Sequence, residues 1–251
     1  MVGNDKIIAA IDRALKKEFK AHTAPIIELI EAQTHDPFCV LVGTILSART
    51  KDACTAGAVN RLFSTAQRAA DVSRAEAEGK TRFTITDLAS LSIRKLEKLI
   101  YPVGFYHDKA RHLAALPAAI ARLDPPVFSM PVAEVRRKID PEALVDLLCE
   151  LPGVGRKTAN LTVAVGFDLP AICVDVHVHR ICNWLGLVRT TKPVETERAL
   201  RKLLPVRYWK TWNSHLVSFG QTRCSPVRPK CTGCPIAIYC HSPLRREKAA
   251  G

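Results

Sequence analysis

The stretch LPGVGRKTANLTVAVG, residues 151–166, places a proline and two glycines in a tight turn immediately before a run of helix-forming residues. Upstream, Asp140 is a good N-cap and Pro141 suits the first helical position, so a helix is expected over residues 140–151. A second helix is expected over residues 156–165. The stretch therefore predicts a helix–hairpin–helix.

The hairpin turn has the chemistry of an anion site. Gly153 and Gly155 allow the backbone to take positive φ and to approach a partner closely. The N–H groups of the turn and of the following helix start form a seat for an anion, and a DNA phosphate suits it. We therefore predict DNA contacts at Gly153, Val154, Gly155 and Arg156. A plain helix C-cap remains the alternative.

Two nucleotide-binding motifs do not fit the same stretch. A phosphate-binding loop needs four residues between its glycines and a lysine directly after the second, whereas here one residue separates the glycines and Arg156 precedes Lys157. A dinucleotide fingerprint needs a third glycine and a preceding strand, and neither is present.

Lys157 is a candidate nucleophile because of its position. The positive end of the helix dipole disfavours the ammonium form, and partial desolvation acts in the same direction. Both effects increase the fraction of neutral amine, which is the form that attacks carbon. Lys157 is therefore predicted to react, unless it is an ordinary surface lysine.

Asp175 begins the segment VDVHVHRICNWLG, residues 174–186. It can cap a helix, or it can be a carboxylate that transfers a proton or stabilises a cationic sugar, and one residue can do both. His177 and His179 lie two residues apart on the expected helix and point in different directions. Because no third ligand has suitable spacing, these histidines are interpreted as packing or phosphate contacts, with His177 as a candidate DNA contact.

Four cysteines crowd into residues 224–240 with the spacing C-x6-C-x2-C-x5-C. Such a group in a reducing compartment indicates a metal site, and the spacing alone leaves zinc and an iron–sulfur cluster open. Arg228 and Lys230 lie between the first two ligands, where a closed site would hold them against phosphates. The predicted ligands are Cys224, Cys231, Cys234 and Cys240.

Composition limits the class of protein. The chain has 251 residues, 47% of them hydrophobic, and its formal net charge is +13. This charge favours a nucleic-acid partner over simple solubility. Apolar residues recur at helical spacing, so an all-α fold is predicted. No apolar run approaches a membrane span and the first residues lack a secretory signal, so a protein of the cytoplasm is expected.

Together these motifs resemble the endonuclease III family of DNA glycosylases, in the helix–hairpin–helix superfamily. LPGVGRKTAN resembles the family's hairpin with its catalytic lysine, and VDVHVHR resembles the segment with its essential aspartate. The cysteine spacing resembles the family's [4Fe–4S] signature. Weaker similarity extends to ILSARTKDA (45–53) and VGFYHDKARHL (103–113).

The resemblance implies a two-lobed all-α protein with an iron–sulfur loop. One domain is expected over residues 31–169, and the other is expected to join residues 1–30 to residues 170–251. The resemblance also places Arg49 and Phe105 at two positions that fill the gap left by a flipped base. The family often has glutamine in place of Arg49 and an aliphatic residue in place of Phe105, for which core packing is the alternative.

The implied function is excision of oxidised pyrimidines from duplex DNA, followed by strand cleavage at the abasic site through a Schiff base of Lys157. The implied cofactor is a [4Fe–4S] cluster, and the protein is expected to act as a monomer on the nucleoid of a bacterium or archaeon. The alternatives are a sister glycosylase specific for adenine or mismatched thymine, which usually lacks this lysine, and a non-catalytic DNA-binding homologue. The long connection over residues 123–140 has no assigned role.

Overall fold

A computed structural model describes residues 2–22, 24–69 and 83–242 of the chain. All regular elements in these ranges are helical, with no strand among them, so the predicted all-α fold is confirmed. The chain divides into two compact units, Ile26–Leu169 and a second that joins Met1–Pro25 to Pro170–Gly251. None of the described helices is at once long enough and apolar enough to span a bilayer.

The unit formed by Ile26–Leu169 contains the predicted hairpin. Its helices are α2 (Ile26–Thr34), α3 (Pro37–Ser47), α4 (Asp52–Ala69), α5 (Ile85–Ala89), α6 (Ile93–Ile100), α7 (Tyr106–Ile120), α8 (Val132–Lys138), α9 (Pro141–Cys149) and α10 (Arg156–Leu161). Buried apolar faces pack α2 on α3, α6 on α7, and α9 on α10. A π-helical turn, Thr162–Gly166, continues α10 and packs against α3.

The helices of the other unit are α1 (Val2–Lys20), α11 (Val176–Trp184), α12 (Pro193–Leu203) and α13 (Trp209–Thr222), with 3-10 turns at Val206–Tyr208 and Ala237–Tyr239. Within this unit α1 packs on α13, and α11 packs on α12 and α13. Its core contains Ile11 and Leu15 of the first helix together with Trp212 and Phe219.

The domain boundary expected at residue 31 falls inside α2 and has to be moved. Ile26, Ile27 and Ile30 are buried, and a Cβ added to Gly43 of α3 would lie 2.4 Å from the Ile30 Cδ1 atom. This close packing explains why the whole of α2 belongs with α3, so the division lies between residues 25 and 26.

Residues 123–140 are a packed part of the hairpin-containing unit. Phe128 lies with its ring centroid 6.4 Å from that of Phe38 and 5.7 Å from that of Phe167. Arg136, on α8, donates a hydrogen bond of 2.6 Å to the Phe167 carbonyl and pairs with Asp168. The connection therefore fixes the end of the segment that begins with the second hairpin helix.

Candidate active site

The hairpin joins α9 to α10 through a tight turn. Asp140 caps α9 because its Oδ2 atom accepts hydrogen bonds from the backbone N–H groups of Glu142 and Ala143, at 2.9 and 3.1 Å. After α9 the Val154 N–H donates to the Leu151 carbonyl at 3.1 Å and closes the turn. Val154 is buried and its N–H is used in this turn, so the DNA contact predicted for it stays a prediction.

The two hairpin glycines differ in conformation. Gly153 has φ of +77°. Gly155 has φ of −95°, so the positive φ expected there is wrong. A Cβ at Gly153 would lie 2.7 Å from the Nδ1 atom of His112, whereas a Cβ at Gly155 would have no heavy atom within 4 Å. Gly153 is required by the turn itself, and Gly155 leaves open space at its surface.

The start of α10 carries both basic residues of the motif. Gly155 occupies the N-cap position and offers no side chain to the first amides of the helix. Arg156 is ion-paired with Glu142 and Asp146, and its Nη1 atom lies 3.1 Å from the Asp146 Oδ1 atom. Arg156 therefore joins α10 to α9, and its predicted DNA contact stays a prediction. Lys157 is exposed at the second position of the helix.

Asp175 is the N-cap of α11 and lies in the unit that does not contain Lys157. Its Oδ1 atom accepts hydrogen bonds from the N–H groups of His177 and Val178 at 2.8 and 2.9 Å. The residue is only 9% exposed. The capping interpretation is confirmed, and it leaves the catalytic interpretation standing because both can apply to one carboxylate.

The two histidines of α11 face different neighbours. A Cβ added to Gly220 of α13 would lie 2.4 Å from the His177 Nδ1 atom, so this ring packs closely on α13. The His179 Nδ1 atom lies 2.7 Å from the Thr196 Oγ1 atom on α12. Both rings therefore pack within their unit, and the DNA contact predicted for His177 remains a prediction.

The four C-terminal cysteines line one small apolar cavity, together with residues such as Trp184 and Phe219. Burial raises the pKa of Cys224 to about 11, against the opposing effect of the Arg180 guanidinium. Burial also raises the pKa of Cys234. Across the described ranges, no three His, Cys, Asp or Glu side chains lie close enough together to hold a single metal ion. The lining cysteines are Cys224, Cys231, Cys234 and Cys240.

The loop between the first two cysteines presents its basic side chains to solvent. Arg228 and Lys230 are both exposed. The backbone is held by hydrogen bonds from the Arg228 N–H to the Ser225 Oγ atom at 3.2 Å and from the Lys230 N–H to the Arg223 carbonyl at 2.9 Å. The loop is thus ordered while its charges remain accessible.

Arg49 and Phe105 come together at the surface of the hairpin-containing unit. Phe105 is 59% exposed, so core packing is the wrong interpretation for it. The Arg49 guanidinium carbon lies 5.4 Å from the Phe105 ring centroid, within cation–π range. Both residues have left-handed backbones, with φ of 54° and 59°. Left-handed non-glycine residues are uncommon and concentrate at functional sites.

Two contacts of α7 were not predicted from the sequence. Lys109 is buried and donates hydrogen bonds to the segment that carries Arg49. His112 lies against Gly153 of the hairpin. Both belong to α7, where a charged residue at helical spacing indicates a solvated face, so the sequence held no signal of these contacts.

Comparison with known proteins adds three findings. A family model described as HhH-GPD superfamily base excision DNA repair protein matches residues 42–206. Endonuclease III of Thermotoga maritima is 39% identical over 213 residues, which cover 85% of this chain and 86% of that protein. Endonuclease III homolog 1, chloroplastic, of Arabidopsis thaliana is 37% identical over 224 residues, covering 86% of this chain and 52% of that protein.

Solved structures agree with these similarities. A trapped endonuclease III–DNA covalent intermediate, in an estranged-adenine complex, aligns with this chain over the full length of both. The TM-score of that alignment is 0.73, with 29% sequence identity.

Proposed function

The chain belongs to the endonuclease III family of HhH-GPD base-excision-repair enzymes, DNA glycosylases with AP lyase activity, and from this premise we propose that it removes oxidised pyrimidines from duplex DNA. The observation that carries the proposal is the exposed Lys157 at the start of a helix whose N-cap is a glycine. A surface turn with open space at Gly155 can receive a DNA phosphate beside a lysine nucleophile.

The proposed chemistry uses Lys157 as the nucleophile. The neutral amine attacks C1′ of the flipped nucleotide, the bond from C1′ to the base breaks, and the base leaves with a proton. Ring opening of the sugar gives a protonated Schiff base between Nζ and C1′. This cation acidifies the C2′ proton, whose loss expels the 3′ phosphate by β-elimination, and water then releases the lysine.

We assign the supporting carboxylate to Asp175. A carboxylate can take up the proton that the attacking amine loses, and it can stabilise positive charge on the sugar. Its two backbone hydrogen bonds hold the side chain in one orientation, which fits a group that has to be preorganised. A charged group whose orientation is fixed before the reaction does not have to reorient when charge develops on the sugar.

We assign a [4Fe–4S] cluster to the four-cysteine cavity, with Cys224, Cys231, Cys234 and Cys240 as the ligands. The donor set fits this cofactor because four thiols surround one apolar cavity. The spacing C-x6-C-x2-C-x5-C resembles the [4Fe–4S] signature of the endonuclease III family, and membership of that family favours this cluster over zinc.

When bound, the cluster would supply a rigid anchor for the loop between its ligands and would take no part in the excision steps. The loop between the first two ligands has a backbone held by hydrogen bonds, while the side chains of Arg228 and Lys230 stay exposed. These two cations and the overall charge of +13 suit binding to the DNA backbone. A visible absorption spectrum tests the assignment: a brown protein supports it, and a colourless protein with stoichiometric zinc contradicts it.

The proposed partner is double-stranded DNA that contains damaged pyrimidines or abasic sites. We propose that the protein acts as a monomer in the cytoplasm, on the nucleoid of a bacterium or archaeon. Single cysteines among apolar neighbours, such as the buried Cys39 and Cys173, fit a reducing compartment.

The decisive experiment is borohydride trapping with the Lys157→Gln variant. Wild-type protein is expected to form a covalent adduct with a duplex containing thymine glycol or an abasic site. Lys157→Gln is expected to form none, because an amide cannot make a Schiff base. Lys95→Gln, at an exposed lysine of α6, removes the same charge and should trap like the wild type. An adduct with Lys157→Gln contradicts the assignment.

The same assay separates the alternatives. Cleavage of both the thymine glycol and abasic duplexes supports the proposal. Cleavage of the abasic duplex alone indicates a lyase with an altered base pocket. Binding without cleavage of either indicates a non-catalytic DNA-binding protein, and excision of adenine or mismatched thymine indicates a sister specificity.

A further inference from the structure

Lys109 is a buried cation with a complete set of acceptors. It is 6% exposed on α7. Its Nζ atom donates to the Leu46 carbonyl at 2.8 Å, the Ala48 carbonyl at 2.6 Å and the Thr50 Oγ1 atom at 3.2 Å. Three acceptors match the three N–H bonds of an ammonium group. The two carbonyls lie at the C-terminal end of α3, so Lys109 fixes the turn that follows this helix.

Thr50 connects this turn to a second turn, which contains Gly104 and directly precedes α7. Its Oγ1 atom accepts from Lys109 and also from the Gly104 N–H at 3.1 Å. A Cβ added to Gly104 would lie 2.7 Å from the Arg49 carbonyl oxygen, so the two backbones are in direct contact. Lys109, Thr50 and Gly104 therefore form a clamp between the two turns.

The clamp holds two exposed residues in an unfavourable backbone conformation. Arg49 lies within the first turn and Phe105 directly follows Gly104 in the second, and both are left-handed, with φ of 54° and 59°. Such strain persists only where the surroundings over-determine the conformation. Because Phe105 is largely exposed, its own packing does not supply that constraint, and the clamp does.

The same helix also contacts the hairpin. His112 follows Lys109 by three residues on α7, and its ring occupies the space that a Cβ at Gly153 would need. One helix thus fixes the clamp and the hairpin turn relative to each other inside a single unit. A displacement of the clamp would move the Arg49–Phe105 pair away from its position relative to the hairpin.

We propose that Lys109 is a positioning residue which locks Arg49 and Phe105 into one preformed unit, so that both enter the gap left by a flipped nucleotide together. The inference rests on the proposed function, because it concerns the step in which the damaged nucleotide leaves the stack. Preforming the pair reduces the conformational entropy that would otherwise be lost when the side chains enter DNA.

The test compares Lys109→Met and Thr50→Val with wild type in three measurements. Single-turnover excision of thymine glycol from a duplex should slow by about 10- to 50-fold, a range set by the loss of preorganisation in a positioned contact. A 2-aminopurine opposite a tetrahydrofuran abasic analogue should lose most of its fluorescence change on binding. Trapping on a single-stranded abasic oligonucleotide should stay within about 2-fold, because no opposite base has to be displaced.

Two controls separate positioning from charge and stability. Lys95→Met removes one exposed positive charge from α6 of the same unit. Thr84→Ala removes the N-cap hydrogen bond of α5 and lowers stability without touching the clamp. Both control variants should excise thymine glycol at the wild-type rate and give the wild-type 2-aminopurine signal. Gly104→Ala forces the two turns apart while keeping every side chain of the clamp, so it should reproduce the Lys109→Met result even if Lys109→Met folds poorly.

The proposal is overturned if Lys109→Met, Thr50→Val and Gly104→Ala all excise as fast as Thr84→Ala and keep the 2-aminopurine signal. Failure of the proposed function looks different, because wild type itself would then neither excise nor trap. The 2-aminopurine signal needs binding alone, so it would still decide whether the clamp positions the inserted pair.

Discussion

Two helix starts carry the predicted catalytic residues, and they are built in opposite ways. α10 begins at Gly155, which has no side chain to cap the first amides, and Lys157 follows two positions later. α11 begins at Asp175, whose carboxylate accepts hydrogen bonds from two of the first amides. The first start has open space at its cap, since a Cβ at Gly155 would meet no heavy atom within 4 Å.

The difference shows how the residue at the cap can decide the use of a helix start. A carboxylate cap supplies its own anion, so the helix dipole is already matched and the side chain is fixed in place. A glycine cap leaves the same positive end to an anion from outside, such as a DNA phosphate. One start therefore fits a preorganised catalytic group, and the other fits a binding seat.

The largest expected effect separates the two roles of Asp175. Asp175→Asn retains a good N-cap but removes the charge, so the free energy of unfolding should change by less than about 0.5 kcal/mol. Excision of thymine glycol should slow by about 100- to 1000-fold, because a preorganised charge is lost. Urea denaturation and single-turnover kinetics measure the two quantities. If Asp175→Asn excises at the wild-type rate, Asp175 serves only as the N-cap of α11 and has no part in the reaction.

The next largest effect tests the open start of α10. Gly155→Asp should add a capping carboxylate and raise the free energy of unfolding by about 0.2–0.5 kcal/mol. Affinity for a duplex with a tetrahydrofuran site should fall by about 10- to 100-fold, because the new charge repels a phosphate. Fluorescence anisotropy at one fixed salt concentration measures the affinity.

Gly155→Asn is the matched control for this change. It adds a cap of similar quality without a charge, so it should stabilise the helix and weaken DNA binding less than Gly155→Asp does. Equal affinities of Gly155→Asp and wild type would mean that the hairpin does not seat a phosphate.

Local sequence signals predicted both helix starts. Proline and glycine mark the hairpin turn, and aspartate before a helical run marks the caps at Asp140 and Asp175. These features depend on a few neighbouring residues, so they could be read without tertiary structure. The sequence pattern predicted positive φ for both Gly153 and Gly155, however, and of these two only Gly153 has it.

The clamp could not be predicted because it depends on contacts between distant residues. Lys109 receives its acceptors from residues about sixty positions away, and a lysine on an amphipathic helix ordinarily indicates solvent. The left-handed backbone of Phe105 likewise contradicts its local preference. The domain boundary at residue 31 was misplaced for the same reason, since packing of α2 on α3 decides it.

A smaller effect is expected at the other hairpin glycine. Gly153→Ala should lower the free energy of unfolding by about 1–2 kcal/mol, because φ of +77° disfavours a side chain and the Cβ would lie 2.7 Å from the His112 ring. Gly155→Ala should change it by less than about 0.5 kcal/mol, since its Cβ meets nothing. Adding His112→Ala to Gly153→Ala should recover only part of the loss, because the backbone strain remains. A full recovery would assign the whole cost to the clash.

The smallest expected effect comes from a third helix start that resembles α11 in its cap but has no proposed role in chemistry. The Asp140 carboxylate accepts hydrogen bonds from two amides at the start of α9, as Asp175 does for α11. Asp140→Asn should change the free energy of unfolding by less than about 0.5 kcal/mol and excision of thymine glycol by less than about 2-fold, because the amide caps as well as the carboxylate. The same denaturation and single-turnover measurements apply. If Asp140→Asn slowed excision as strongly as Asp175→Asn, the loss at Asp175 would follow from changing a charged cap in general, and the carboxylate of α11 would have no special part in the reaction.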